Sequence, residues 1–163
     1  MASPIKSSVT FVLGTLLLAP VAASATPTAS TRTAAPNIVI TPAPDVKYQP
    51  LDPNDSERKG PQISILFGDF AKKAPVGFLF KVPGGFRPGP HIHTADYYSV
   101  VVEGIVHDFA PGSADEGSPI GPGGHWFQAG KVSHDNHCAS TTPCVIFIYS
   151  PRGYDYLPTN SPR

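Results

Sequence analysis

The sequence predicts an all-β domain, an antiparallel sandwich or barrel, on three observations. Short runs of β-forming residues recur between turn signals. No long helical periodicity appears. Prolines and glycines, 20 and 15 of 163 residues, are scattered between those runs rather than repeated at a fixed period.

The runs can be taken in order. Gln62–Phe67 is followed by Gly68-Asp69, and Val76–Val82 by Pro83-Gly84-Gly85. Tyr97–Glu103 is followed by Gly104, and Cys144–Ser150 by Pro151. Their separation of ~10 to 20 residues suits an antiparallel sandwich or barrel. Ile38–Ile40 is read as an added edge strand, and Asp69–Ala74 has room for one helical turn. Pro111–Gly124 holds five glycines and three prolines, which makes it a loop. Phe78, Phe80, Val100, Val102, Ile146 and Ile148 alternate as core residues do. Gly104 ends its strand in a turn that calls for a backbone conformation barred to other residues.

Four segments follow. Residues 1–25 read as a secretory signal: Lys6 supplies positive charge, Val9–Leu18 an apolar run, and Ala23-Ser24-Ala25 a small-x-small cleavage site. Gly14 and Pro20 interrupt a run already shorter than the ~20 apolar residues a bilayer needs, so no stable membrane insertion is expected after cleavage. Residues 26–36, rich in Thr, Ala and Pro, are expected to be disordered. Residues 37–158 form the one domain, and 159–163 a tail. The expected location is secreted or periplasmic. Net charge is zero with no basic block, so nucleic acid is not an expected partner.

Cys138 and Cys144 bracket five residues that look like a tight connection between strands. An oxidising compartment favours a disulfide across that turn, contributing ~2 kcal/mol for so short a loop. The competing reading makes Cys138 a metal ligand.

His91 and His93 are separated by one residue in an extended stretch, so both imidazoles leave the same face. His134, after a second glycine-rich turn, can complete the set from a neighbouring strand. Pro88 and Pro90 stiffen the approach and restrict Gly89, which pre-positions ligands. A polar barrel mouth filled by structural histidines is the alternative. His107 and His125 read as strand-end or loop residues, and His137 as a supporting or surface residue.

Residues 85 to 104 run Gly85-x5-His91-x-His93-x3-Tyr97-x6-Gly104, and residues 123 to 138 run Gly123-x5-Ala129-x-Lys131-x2-His134-x3-Cys138. The first resembles the first cupin motif with every spacing kept, and the second a degenerate form of the second motif. The stretch HIHTADYYSVVVEGIVHDF, with Trp126-Phe-Gln128-Ala-Gly130-x3-His134, is similar to ChrR-like bacterial cupins of a domain without assigned function. The resemblance spans about residues 45 to 157. It implies a double-stranded β-helix (jelly-roll) cupin barrel with one divalent metal, Fe, Zn, Ni, Cu or Mn. By analogy it also implies a homodimer.

One departure stands out: the usual glutamate ligand slot holds Tyr97. A neutral phenol, with a pKa of about 10, is a poor ligand for a divalent ion. Gln128 is the first choice for a compensating ligand. Asp96, of opposite strand parity, and water are the others. Tyr97 shares the inward face with His91 and His93, so its hydroxyl is a candidate hydrogen-bond donor or catalytic acid, beside plain packing. Phe78, Phe80, Tyr97, Trp126, Phe127 and Tyr149 are the expected liners of a pocket for a small, partly apolar ligand. The resemblance implies a metal-dependent enzyme, dioxygenase-like, with hydrolysis, lyase chemistry and isomerisation also open. A non-catalytic exported module that binds or senses a metal or small ligand is the alternative, and a purely structural metal a third.

Overall fold

A computed structural model describes residues 38–159 of the chain. The expected signal segment, 1–25, and the expected disordered segment, 26–36, lie wholly outside the described residues. The described residues from Ile40 onward belong to one compact unit.

Ten strands follow one short 3₁₀ turn at Ala43–Asp45: β1 (Gln49–Pro50), β2 (Gln62–Phe67), β3 (Val76–Val82), β4 (His91–Ile92), β5 (Tyr97–Glu103), β6 (Val106–Phe109), β7 (His125–Gln128), β8 (Asp135–Cys138), β9 (Cys144–Ser150) and β10 (Leu157–Pro158). There is no α-helix among the described residues, and no helix there is long and apolar enough to cross a membrane. Asp69–Ala74 forms turns and bends, because Asp69 Oδ1 accepts the Ala71 amide at 2.9 Å and closes a tight local turn. Ile38–Ile40 pairs with nothing and stands exposed; the short β1 takes the sheet edge instead.

Six strands form one sheet in the order β1-β2-β3-β9-β5-β7, with every pairing in it antiparallel. Two ribbons, β10-β4 and β6-β8, make up the rest. A bridge between His91 and His134 joins them. The core cluster draws on both parts: Val76, Phe78, Tyr97, Val101, Ile146 and Ile148 from the large sheet, Val106 and Cys138 from the β6-β8 ribbon.

Strand parity decides what faces that core. In β5, Tyr97, Ser99 and Val101 are each 1% exposed, while Val100 and Val102 are 39% and 44% exposed. The expectation that Val100 and Val102 are core residues is therefore corrected: once Tyr97 points inward, even-numbered residues of β5 must point out. In β9 the inward set is Cys144, Ile146, Ile148 and Ser150.

Cys138 and Cys144 form the disulfide, with Cα atoms 5.8 Å apart, so Cys138 is not a metal ligand. Gly104 has φ +82°, and a Cβ there would lie 2.6 Å from Cys144 Sγ, so only glycine fits beside this bridge. At the far end, the Thr159 amide still donates to Pro90 O at 3.0 Å, which carries the ordered domain through that residue.

Candidate metal centre

The site begins with backbone. His91 and His134 exchange both amide hydrogen bonds, at 2.9 and 3.0 Å, so two segments 43 residues apart are locked side by side. The Lys131 amide donates to His93 O at 2.7 Å and anchors the turn before His134, where Lys131 adopts φ 65°. His91, His93 and His134 are 3%, 1% and 3% exposed. One nitrogen of each lies within 4.8 Å of the others. Three nitrogens bound to one ion at ~2.1 Å are ~3.0–3.6 Å apart, so a contraction of about an ångström brings the cluster to coordination spacing.

Hydrogen bonding fixes which nitrogen is offered. His91 Nδ1 lies 2.7 Å from Gly89 O, and His93 Nδ1 is bonded to Asp155 O. A carbonyl only accepts, so each Nδ1 carries the proton and each neutral ring presents an unprotonated Nε2. His134 Nδ1 lies 2.6 Å from Asp108 Oδ1, a carboxylate that likewise accepts. His93 Nε2 and His134 Nε2 are buried with no hydrogen-bond partner. Buried unpaired lone pairs are costly unless something fills the point they share. The residues present thus fit one divalent ion, with each imidazole oriented from behind as metal ligands usually are.

Burial drives His91 and His93 down to a pKa of about 4, against the partial restoring effect of their carbonyl partners. Both rings are therefore neutral, as ligands must be, across the physiological range. Gly89 has φ +85°, which turns its carbonyl back toward the His91 ring two residues on.

Sequence reasoning missed the supporting groups. Asp108 sits on β6 opposite Asn136 of β8, and His134 is two residues before Asn136, so the period-2 rule puts all three on one face. Tyr154 is partly buried, its ring centroid 4.6 Å from that of His93. Tyr156 lies 4.6 Å from His91. The cue for Asp108 was present as alternation in Val106–Phe109, but the run is too short and polar to announce a strand.

Tyr97 packs edge-on against His93, centroids 4.8 Å apart, and accepts a hydrogen bond from Trp126 Nε1 at 3.3 Å. Burial raises its pKa well above the ordinary value, with the negative charge of Asp108 adding to the effect. The phenol is neutral, and the cluster supplies three imidazoles and no carboxylate. Gln128 lies opposite Tyr97 in the sheet and is buried. Its amide nitrogen donates to Val132 O at 2.9 Å and Ala129 O at 3.3 Å, bracing the turn that delivers His134. Asp96 accepts from the Gly130 amide at 2.8 Å and faces Arg152, away from the cluster. His107 and His137 stack on each other at 5.1 Å, and His125 is exposed.

Beside the histidines lies a cavity of about 570 Å³. Phe78, Phe80, Tyr97 and Trp126 line it, as expected; Tyr149 and Phe127 do not. Tyr149 belongs to the outward set of β9 and contacts Phe67 and Tyr98; Phe127 pairs with Tyr98 on the same outer face. Phe86, Ile146 and Ile148 complete the apolar wall.

The domain that carries the three inward imidazoles has the cupin fold. The chain belongs to the family described as Domain of unknown function (DUF4437), whose profile matches residues 39–134, more than half of its 163 residues. Solved structures agree on the fold. An RmlC-like cupin from Ralstonia eutropha JMP134 is similar at a TM-score of 0.58 and 16% identity, over 77% of this chain and 75% of that one. The polyketide cyclase RemF from Streptomyces resistomycificus gives 0.55 and 20%, over 77% and 89%. KdgF from Halomonas sp. gives 0.53 and 20%, over 70% and 95%. No curated protein matches the chain.

Proposed function

We propose that this chain is an exported metal-binding cupin that uses one divalent ion on His91, His93 and His134 for dioxygenase-like oxidation of a small organic molecule. The observation that carries the reading is the set of three converging imidazoles, each with Nδ1 committed to the protein and two with Nε2 buried and unpartnered. When bound, the ion supplies Lewis acidity and, as iron, a redox couple.

The chain's own residues favour chemistry that does not lean on a protein base. Tyr97 and Tyr154 line the cavity, but burial raises both pKa values and keeps them protonated. For Asp155, burial alone would raise the pKa; two hydrogen bonds from Thr94 outweigh it and hold the carboxylate below its ordinary range. A carboxylate so committed is a poor proton acceptor at neutral pH. Tyr97, with its oxygen already accepting from Trp126, keeps its O–H free to donate to a ligand. Asp108 holds the His134 ring in the orientation and tautomer that coordination requires. The signal-like residues 1–25 and the Cys138–Cys144 bridge support export to a secreted or periplasmic location.

The test is oxygen uptake by iron(II)-loaded protein offered a set of small phenols. Uptake that needs both iron and phenol, and vanishes in His134→Ala, is the expected result. No uptake from any phenol by protein that holds its iron would leave a non-catalytic binding module.

A further inference from the structure

We infer that the cavity takes a neutral, predominantly aromatic molecule with a single oxygen donor, in preference to a sugar or a carboxylate. The inference rests on the proposed metal centre for the oxygen-binding end only; the preference for ring over polyol or acid comes from the cavity wall.

That wall is aromatic and aliphatic where it is deepest. Phe78, Phe80, Phe86, Trp126, Ile146 and Ile148 face the space. Phe78 meets Phe70 and Tyr154 edge-to-face, at 4.8 and 4.9 Å between centroids and 73° and 66° between planes. A cluster built on such contacts extends readily to one more ring. At about 570 Å³ the space suits a molecule of two or three fused rings, within the ordinary range for organic ligands.

The charged liners are already engaged, which leaves Asn136, Tyr97 and Tyr154 as the polar lining residues with capacity to spare. Among the described residues, Arg87 is the one Lys or Arg side chain lining the cavity. Its guanidinium is bonded to Glu116, lies 3.0 Å from His137 Nδ1 and 3.9 Å from Asp135 Oδ2, and stacks over Phe109. Glu116 and Asp135 already offset its charge, so a ligand carboxylate would meet their negative charge together with the guanidinium. Asp155 is held by Thr94 and adds negative charge that repels an anion. Tyr156 donates to Pro88 O at 3.1 Å. A polyol entering here would bury hydroxyls with few free partners, which binding does not tolerate cheaply. A ring bearing one hydroxyl has a single polar atom to satisfy, and the histidine end of the cavity can satisfy it.

Trp126 is the only tryptophan in the chain and lines the cavity, so its emission reports occupancy. Zinc-loaded protein is titrated with 2-naphthol, 2-naphthoate and galacturonate, by calorimetry and Trp126 fluorescence. The expected result is one 2-naphthol per chain, bound at least about tenfold more tightly than either acid. Ile63→Phe, which narrows the cavity, weakens 2-naphthol at least about fivefold and leaves the zinc content at one per chain. Equal or tighter binding of 2-naphthoate or galacturonate, or no saturable 2-naphthol binding, overturns the inference. Protein that fails to hold zinc yet keeps the preference for 2-naphthol would overturn the metal centre while upholding the ligand class.

Discussion

Replacing Asp108 by Asn tests whether the carboxylate behind His134 contributes to metal affinity. Asp108 Oδ1 sits 2.6 Å from His134 Nδ1, and the two side chains are 10% and 4% exposed, so solvent does little to weaken the bond. Asn keeps the shape and an accepting oxygen but removes the charge. A charge-assisted hydrogen bond contributes ~1.5–3 kcal/mol against ~0.5–1.5 for a neutral one. The expected loss is therefore ~1.5 kcal/mol, about a tenfold weaker metal site, at the lower end of what loss of such supporting groups costs. Competition against a zinc chelator of known affinity measures it, with circular dichroism to confirm an unchanged fold. Glu57→Gln, at an exposed position paired only with Lys59, serves as control and should leave affinity unchanged. Zinc affinity in Asp108→Asn within about twofold of the natural protein would refute the reasoning.

Acid should destabilise the metal-free protein. His91 and His93 titrate near 4 when folded against 6.5 when unfolded, so the unfolded chain binds more protons between those values and stability falls as pH falls through that window. The loss is up to ~3 kcal/mol for each ring, and denaturant midpoints at pH 7.5 and 4.5 would reveal it; equal midpoints would contradict it. Cys138→Ser with Cys144→Ser should cost ~2 kcal/mol of stability in the same assay, because only a short loop is closed. Gly104→Val should cost more, ~3 kcal/mol, since positive φ and a Cβ against Cys144 Sγ add, and a melting temperature within ~2 °C of the natural protein would count against that account.

The four longest strands were legible because each is a run of β-formers closed by glycine or proline; the bounds of β2, β3, β5 and β9 match the runs read from the sequence. The short strands β6, β7 and β8 were not, since VHDF, HWFQ and DNHC carry polar residues that serve the site and blur the alternation. The three histidines converge as their spacing implied, because His91 and His93 leave one face of an extended stretch and the His91–His134 bridge brings in the third. Tyr149 and Phe127 were misplaced by chemistry winning over parity. Both are aromatic and sit near the site in sequence, yet inward Ile146 and Ile148 oblige Tyr149 to face out. Asp108 and Tyr154 escaped notice because their contacts with the histidines arise from pairings and turns that no short motif encodes.

Metal content per chain, measured by elemental analysis on protein purified without added metal, bears most directly on the central claim. The account predicts one divalent ion per chain in the natural protein, and close to none in His91→Ala and in His134→Ala with the β-fold intact. An unchanged metal content in both variants would contradict it.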